Sequence, residues 1–282
     1  MTKELIKISD GKVELSENEY LTELLAYRQK FQAIPTVGKI IDQVVETMHQ
    51  LASGYLPKRI GQLEITDTMI HDVQQFVLME YPAEPQKGNM LWLDLADALE
   101  ELDYLLRHFR DALIETFSMY GYVSTPLIES LSKYLNGAPV LELMAGHGYL
   151  SAGLRALHPE QLIWATDNED WRLQPDPTKA QPVTNVENLD AQLAVRKYAQ
   201  EATYLLISWA PDTSETDLLV IDDALAINPL LKIIVIGEAD GATNSKAFWK
   251  QAHLQAIPEL NQQLTSFDLI DEQAYLLLDL DK

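Results

Sequence analysis

The segment from Val140 to Ser151 reads Val-Leu-Glu-Leu-Met-Ala-Gly-His-Gly-Tyr-Leu-Ser. Its apolar start predicts a buried strand, and the glycines that follow predict a sharp turn into a helix. Gly146 and Gly148 suit such a turn because glycine adopts positive φ angles and lets a ligand approach the backbone closely. The N-terminus of the helix adds free N–H groups that point at that ligand. Sharp turns that bind nothing also carry two glycines, so both interpretations stay open.

Short apolar runs alternate with helical patterns after this segment, which predicts a parallel sheet covered on both faces. The predicted strands are Val140–Leu143, Leu162–Thr166, a weak Val183–Val186, Tyr204–Ser208 and Lys232–Ile236. The predicted helices between them include Ser151–Leu157, Ala191–Ala199 and Asp217–Ile227.

The end of the chain has a different pattern. Ser266–Ile270 and Ala274–Leu280 are predicted to be strands with only three residues between them. Such a link permits a hairpin and excludes a crossover connection. We therefore expect an α/β fold with a mostly parallel, doubly wound sheet and an antiparallel strand in a C-terminal hairpin.

The residues before about 120 have the periodicity of helices. A serine at position 16 and a glutamate three residues later are typical of a capping box, and Thr66 is expected to cap a further helix. Apolar residues spaced three and four apart from Trp92 to Phe117 predict one long helix over about 90–119. The narrow stripe of that helix indicates packing within one subunit or, alternatively, a dimer seam.

We expect an all-α domain over residues 1–120 and an α/β domain over residues 121–282. Gly121 is expected to end the long helix. Thr125 and Pro126 resemble an N-cap followed by proline at the first helical position, which predicts a helix through about Leu135. Single histidines in the first half have no second ligand one turn away, so no metal site is expected.

Composition narrows the class of function. The chain has 282 residues, of which 47% are apolar, and its formal charge is −22 because 43 acidic residues outnumber 21 basic ones. This charge argues against nucleic acid and against an anionic membrane surface as the main partner. The absence of cysteine excludes disulfides and thiolate chemistry. No signal peptide or transmembrane segment is expected, and the expected location is the cytoplasm.

Several acidic residues follow the predicted strands. Asp167 ends the second strand 19 residues after Gly148, where an acid can accept hydrogen bonds from both ribose hydroxyls of a nucleoside or can simply cap a turn. Asp190 follows the third strand, where it could meet an adenine amino group or act as the N-cap of the next helix. Glu142 lies within the first strand, and burying an acid there favours a cationic ligand group nearby.

These motifs together resemble the class I S-adenosylmethionine-dependent methyltransferases over about Tyr122 to Lys282. Glu142 and the glycine turn are similar to the family's first motif, although Met144 stands where its first glycine is usual. Asp167 matches the ribose-binding acid and Asp190-Ala191 the adenine-side motif. The segment from Ser208 through Trp209 and Ala210 to Pro211 lies where the family has its motif after strand four, but it is not the Asn-Pro-Pro-Tyr of amino-directed enzymes.

The resemblance implies S-adenosylmethionine as cofactor and a role for each matching residue. Glu142 would hold the methionine amino end, Trp209 would form a wall of the acceptor pocket or simply pack in the core, and Glu238 would orient or deprotonate the acceptor or be a solvated loop acid. His147 could act as a base, but it is expected to point outward from the turn. The remaining residues expected at the cofactor are Ala145, Gly146, Gly148, Tyr149, Asp167, Asn168, Asp190, Ala191 and Ser208, with Tyr122 as a further candidate.

The acceptor would be a small molecule or a protein, and the helical first half would be a lid, a substrate-selecting domain or a homodimer interface. Two other functions remain open. Gly146, Gly148 and Asp167 also satisfy much of the dinucleotide fingerprint of a nicotinamide-dependent oxidoreductase. The chain could also be a non-catalytic nucleotide-binding or interaction module that works through its long helix.

Overall fold

A computed structural model describes residues 4–173, 180–264 and 266–281. The first half is helical, as expected. Its helices are α1 (Glu19–Lys30), α2 (Pro35–Ala52), α3 (Asp67–Glu80), α4 (Pro85–Arg107), α5 (Phe109–Phe117) and α6 (Thr125–Leu135).

Three details of these helices differ from expectation. The α1 helix is capped by Asn18, whose side chain accepts from the Leu21 N–H at 2.8 Å, and not by Ser16. The predicted long helix is broken at His108, where the Tyr104 carbonyl oxygen is shared between the His108 imidazole at 2.7 Å and the His108 backbone N–H at 3.2 Å. The cap of α6 is Ser124, one residue before the expected threonine. Thr66 caps α3 as predicted.

The second half alternates strands and helices. Its strands are β1 (Val140–Leu143), β2 (Ile163–Asp167), β3 (Glu187–Asn188), β4 (Tyr204–Ser208), β5 (Lys232–Glu238), β6 (Ala252–Ala256) and β7 (Glu272–Leu280). Its helices are α7 (Tyr149–Leu157), a 3-10 helix (Asp170–Leu173), α8 (Ala191–Tyr198), α9 (Thr216–Ile227), α10 (Lys246–Gln251) and α11 (Pro258–Asn261).

The described strands form a single sheet in the order β3-β2-β1-β4-β5-β7-β6. Strands β1 to β5 pair in parallel, whereas β7 is antiparallel to both β5 and β6. This confirms the mostly parallel sheet with an antiparallel C-terminal strand. The ends of the first, second, fourth and fifth strands all lie at the carboxyl edge of the parallel part, where open α/β sheets bind ligands.

Two strand predictions were wrong in position. Residues 266–270 are not a strand, because local side-chain bonds occupy backbone groups that a ladder would use: the Asp268 carboxylate accepts from the Ile270 N–H at 3.1 Å, and the Ser266 hydroxyl donates to the Asp268 carbonyl oxygen. The partner of β7 is instead β6. The predicted Val183–Val186 strand lies instead at Glu187–Asn188, which pairs with the end of β2, whereas the Val183 N–H donates to the His147 carbonyl oxygen at 2.9 Å and so to the turn after β1.

Alternate strand residues face two separate cores, as the period of two requires. The face that packs against the helices of the first half contributes Val140, Leu206, Ile234 and Ile236. The opposite face, which packs against α8, α9 and α10, contributes Leu141, Leu143, Leu205, Ile207, Ile233 and Val235. The shared core places α1–α6 on one side of the sheet, while the division of the chain at residue 120 stays a prediction. Across the described residues, no helix combines the length and apolarity needed to cross a bilayer.

Candidate functional site

The turn after β1 has a backbone of left-handed conformations. Gly146 and Gly148 have φ angles of 53° and 77°, and Met144 has a φ of 52° although it carries a side chain. Methionine therefore occupies a conformation that favours glycine, at the position where the family's first glycine is expected. Strained residues of this kind persist where the surrounding structure fixes them, and they cluster at binding sites.

The two glycines of the turn face different surroundings. No heavy atom outside the neighbouring residues lies within 4 Å of the place where a Cβ on Gly146 would be, so this side of the turn is open. A Cβ on Gly148 would lie 2.7 Å from a Val186 methyl and 2.9 Å from a Thr184 methyl. Gly146 therefore leaves room for a ligand, whereas Gly148 is needed for packing.

Asp167 lies beside the open side of the turn. Its Oδ2 accepts from the Gly146 N–H at 2.8 Å and its Oδ1 accepts from the Glu169 N–H at 2.7 Å. An ionised carboxylate has about four acceptor positions, so each oxygen can accept another bond. The end of β2 thus brings a buried acid into direct contact with the glycine turn.

Glu142 is buried within β1 and faces α7. Its Oε2 accepts from the Ser151 N–H at 3.1 Å and from the Ser151 hydroxyl. Burial raises the pKa of this carboxyl to about 7, although the bonds from Ser151 and the charge of Arg155 act in the opposite direction. The acid therefore connects the strand to the first turn of the helix that follows the glycines.

The remaining candidates on the cofactor side have structural partners of their own. Asp190 is the N-cap of α8, because its Oδ1 accepts from the Gln192 N–H at 2.9 Å, and Ala191 is the buried first residue of that helix. The Asn168 side-chain amide donates to Asp170 at 2.6 Å. The Ala145 N–H donates to the Thr166 carbonyl oxygen at 3.0 Å.

The two candidate tyrosines connect separate parts of the first core. The Tyr149 hydroxyl donates to the Phe117 carbonyl oxygen at 2.7 Å, and the Tyr122 hydroxyl donates to the Lys58 carbonyl oxygen at 2.6 Å. Both rings are buried. Their hydroxyl protons are therefore committed to backbone carbonyls.

Polar atoms without partners occur at the same edge of the sheet. His147, which was expected to point outward, is 2% exposed, and its ring lies 4.5 Å from that of Trp171. Burial lowers the pKa of this histidine. Among the described residues, His147 Nδ1, Trp171 Nε1 and Ser208 Oγ are buried with no hydrogen-bond partner. Such atoms are costly unless a ligand or water satisfies them.

Trp209 lies at the carboxyl end of β4 with a φ of 51°. Its backbone N–H donates to the Ile236 carbonyl oxygen at 2.7 Å, and its ring packs directly on the backbone of Gly121. The indole N–H donates to Glu272 Oε1 at 2.9 Å. Burial raises the pKa of Glu272, and the neighbouring charge of Arg110 opposes that shift.

Glu238 lies directly opposite Glu272 in the β5–β7 ladder. Its Oε2 accepts from the Ala242 N–H and its Oε1 from the Asp271 N–H, both at 3.3 Å. Its own N–H donates to the Thr243 hydroxyl at 2.8 Å. The carboxylate therefore organises two loops at the end of the sheet, and sequence reasoning missed its neighbour Glu272, which was placed in a hairpin link.

No protein-family model matches the chain, and no curated protein does. Solved structures similar to it include the magnesium protoporphyrin IX methyltransferase of Synechocystis PCC 6803 with bound S-adenosylmethionine, at 12% identity over 55% of this chain and 78% of that one, with a TM-score of 0.31. Human N-acetylserotonin methyltransferase is 12% identical to this chain, and the alignment covers 95% of this chain and 72% of that one, with a TM-score of 0.36. The plantazolicin methyltransferase BpumL is 10% identical to this chain, and the alignment covers 76% of this chain and 98% of that one, with a TM-score of 0.35.

The sheet itself defines the fold class. The strand order and the antiparallel β7 are consistent with the class I methyltransferase fold that the sequence resembles.

Proposed function

We propose that this chain is an S-adenosylmethionine-dependent methyltransferase whose cofactor lies against the turn after β1. The observation that carries the proposal is the contact between Gly146 and Asp167: an open glycine backbone joined at 2.8 Å to an acid at the end of the neighbouring strand. A nucleoside needs both features, since its bulk requires a backbone without side chains and its ribose hydroxyls require an acceptor.

The residues at this edge fit the cofactor. Asp167 would accept from the ribose hydroxyls with its unused lone pairs, and the buried polar atoms of His147, Trp171 and Ser208 would gain partners. Glu142, whose burial favours a nearby cation, would face the methionine amino group. When bound, S-adenosylmethionine would supply a methyl group on a positively charged sulfur for transfer to a lone pair of the acceptor.

The acceptor would lie on the side of Trp209 and Glu238. The protein's part in such a displacement is to align the acceptor and exclude water. The indole of Trp209 would wall the pocket, and Glu238 would orient the acceptor. Both oxygens of Glu238 already accept backbone bonds, which favours an orienting role over proton removal. A net charge of −22 supports a small molecule or a protein as acceptor rather than a polyanion.

The helical first half would select the acceptor or join two copies of the chain. Four large apolar side chains at the end of α3 and the start of α4 support a role in binding, since each is more than 60% exposed: Leu78, Met79, Met90 and Leu93. Sedimentation of the wild type beside Met90→Glu tests the dimer, which the substitution should convert to monomer.

Methyl transfer from labelled S-adenosylmethionine tests the proposed enzyme. The purified protein is incubated with the labelled cofactor and with separate protein and small-molecule fractions of a cell extract. Label should enter one fraction with wild type and not with Asp167→Asn. Equal incorporation by both proteins would contradict the proposed site, and none with wild type would contradict the activity.

A further inference from the structure

A buried cluster of charged side chains joins the two halves of the chain beside Trp209. Arg110 of α5 donates two hydrogen bonds to the Asp268 carboxylate, from Nε to Oδ2 at 2.6 Å and from Nη2 to Oδ1 at 3.3 Å. Its third nitrogen donates to Glu272 Oε1 at 3.0 Å and to the Tyr120 carbonyl oxygen at 2.8 Å. All three charged side chains are at most 13% exposed.

Glu272 connects this cluster to the tryptophan. Its Oε1 accepts both the Arg110 guanidinium N–H and the Trp209 indole N–H, at 3.0 and 2.9 Å. The guanidinium and the indole therefore share one acceptor oxygen, so a change in how Arg110 holds Glu272 acts on the bond that the indole makes. Bonds to an ionised acceptor in such a poorly solvated place are stronger and more directional than surface bonds.

Trp209 needs such a constraint because its backbone is strained. A bulky residue with a φ of 51° costs energy unless its surroundings hold it. One constraint is the backbone bond to Ile236, and another is the contact with Gly121. The bond to Glu272 adds a directional constraint on the ring, which the contact with Gly121 holds only by packing.

We propose that Arg110 and Glu272 are positioning residues for Trp209: Arg110 holds Glu272, and Glu272 fixes the indole that walls the acceptor side of the site. This rests on the proposed function, from which the role of Trp209 comes. A helix of the first half thereby sets the shape of the acceptor pocket without contacting the acceptor. A cluster that only stabilises the fold would leave the indole where it is when Arg110 changes.

The chain of contacts from Arg110 through Glu272 to Trp209 is called the relay below. The indole N–H signals in a proton–nitrogen correlation spectrum test whether it exists. Trp209→Phe identifies the Trp209 signal. In Arg110→Lys and in Glu272→Gln, the Trp209 proton signal should move upfield as the bond to the carboxylate weakens. The Trp249 signal should stay in place, because that indole donates to the Thr243 carbonyl oxygen at 2.7 Å.

Arg107→Lys is the matched control. Arg107 lies three residues earlier and also donates to an aspartate, Asp103, at 2.7 Å. Its side chain is 40% exposed and makes no hydrogen bond to Glu272. It should leave the Trp209 signal unchanged. An unmoved Trp209 signal in Arg110→Lys, or equal movement in the control, would overturn the relay.

A catalytic readout separates this inference from the proposed function. Methyl incorporation from labelled S-adenosylmethionine into the extract should fall about tenfold or more in Arg110→Lys and Glu272→Gln, while affinity for S-adenosylhomocysteine stays at the wild-type value. Unchanged incorporation would overturn the positioning role. If the wild type transfers no methyl group, the proposed function fails, and the Trp209 signal still decides whether the relay exists.

Should neither variant fold, the wild type decides. Its Trp209 indole proton must then exchange slowly with D₂O, as a buried hydrogen-bonded proton does. Rapid exchange would overturn the proposal.

Discussion

Asp167 Oδ2 lies 2.8 Å from the backbone nitrogen of Gly146. These residues end β2 and form the turn after β1, so one hydrogen bond joins the two neighbouring strand ends at which a nucleoside would sit. The bond orients the acid and still leaves lone pairs on both of its oxygens.

Replacing the acid at this bond should weaken cofactor binding. In Asp167→Asn, the loss of a charged acceptor should raise the dissociation constant for S-adenosylhomocysteine about tenfold or more, since bonds to charged groups contribute about 1.5–3 kcal/mol. Calorimetry measures the change. Asp170→Asn, at an exposed residue three positions later, is the control and should bind as wild type does; equal affinity of both variants would remove Asp167 from the site.

The two glycines of the turn should respond differently to alanine. Gly146→Ala should cost about 1 kcal/mol of stability through its positive φ, yet abolish binding of S-adenosylhomocysteine because the methyl group enters the open side. Gly148→Ala should lower the free energy of unfolding by about 2 kcal/mol or more, since its methyl group would collide with Val186 and Thr184. Denaturant titration measures the stability of both variants, and calorimetry measures their binding of S-adenosylhomocysteine. Lost binding in Gly148→Ala with normal binding in Gly146→Ala would show that the space for the ligand lies at Gly148.

Glu142 should make stability depend on pH. Its folded pKa of about 7 exceeds its ordinary value of 4.5, so the folded protein binds this proton more tightly than the unfolded chain does. The resulting stabilisation is complete below pH 4.5 and is lost as the pH rises through 7. Between pH 4.5 and pH values above 7, the free energy of unfolding of the wild type should fall by about 3 kcal/mol relative to that of Glu142→Gln.

Measuring the free energy of unfolding of both proteins from pH 4.5 to 8 isolates this effect, because other groups cancel in the difference. The same substitution at the exposed Glu160 should give no such divergence. Parallel curves for wild type and Glu142→Gln would mean that Glu142 titrates normally.

Arg110 and Arg107 should differ in their contribution to stability. Arg110→Met leaves Asp268 and Glu272 buried without their cation and should cost about 3–5 kcal/mol. Arg107→Met removes an exposed pair and should cost about 1 kcal/mol or less. Chemical denaturation measures the free energy of unfolding of both variants. Equal losses of stability would show that the buried cluster contributes no more to stability than an exposed ion pair does.

The central sheet could be predicted from sequence because its inner strands are buried on both faces. Val140–Leu143 and Tyr204–Ser208 are mostly apolar, interrupted only by Glu142 in the first and ended by Ser208 in the second, and the structure gives them the same bounds. The edge strand Ala252–Ala256 was missed, since edge position leaves it little apolar signal. The turn and Asp167 followed from local spacing. The bond from Arg110 to Glu272 could not be predicted, because it joins residues 162 positions apart.

Calorimetric titration of the wild-type protein with S-adenosylhomocysteine, beside a parallel titration with NAD, tests the central claim most directly. The open turn and its acid predict one S-adenosylhomocysteine bound per chain and no heat from NAD. Binding of NAD alone, or no binding of S-adenosylhomocysteine, would contradict a cofactor site at Gly146 and Asp167.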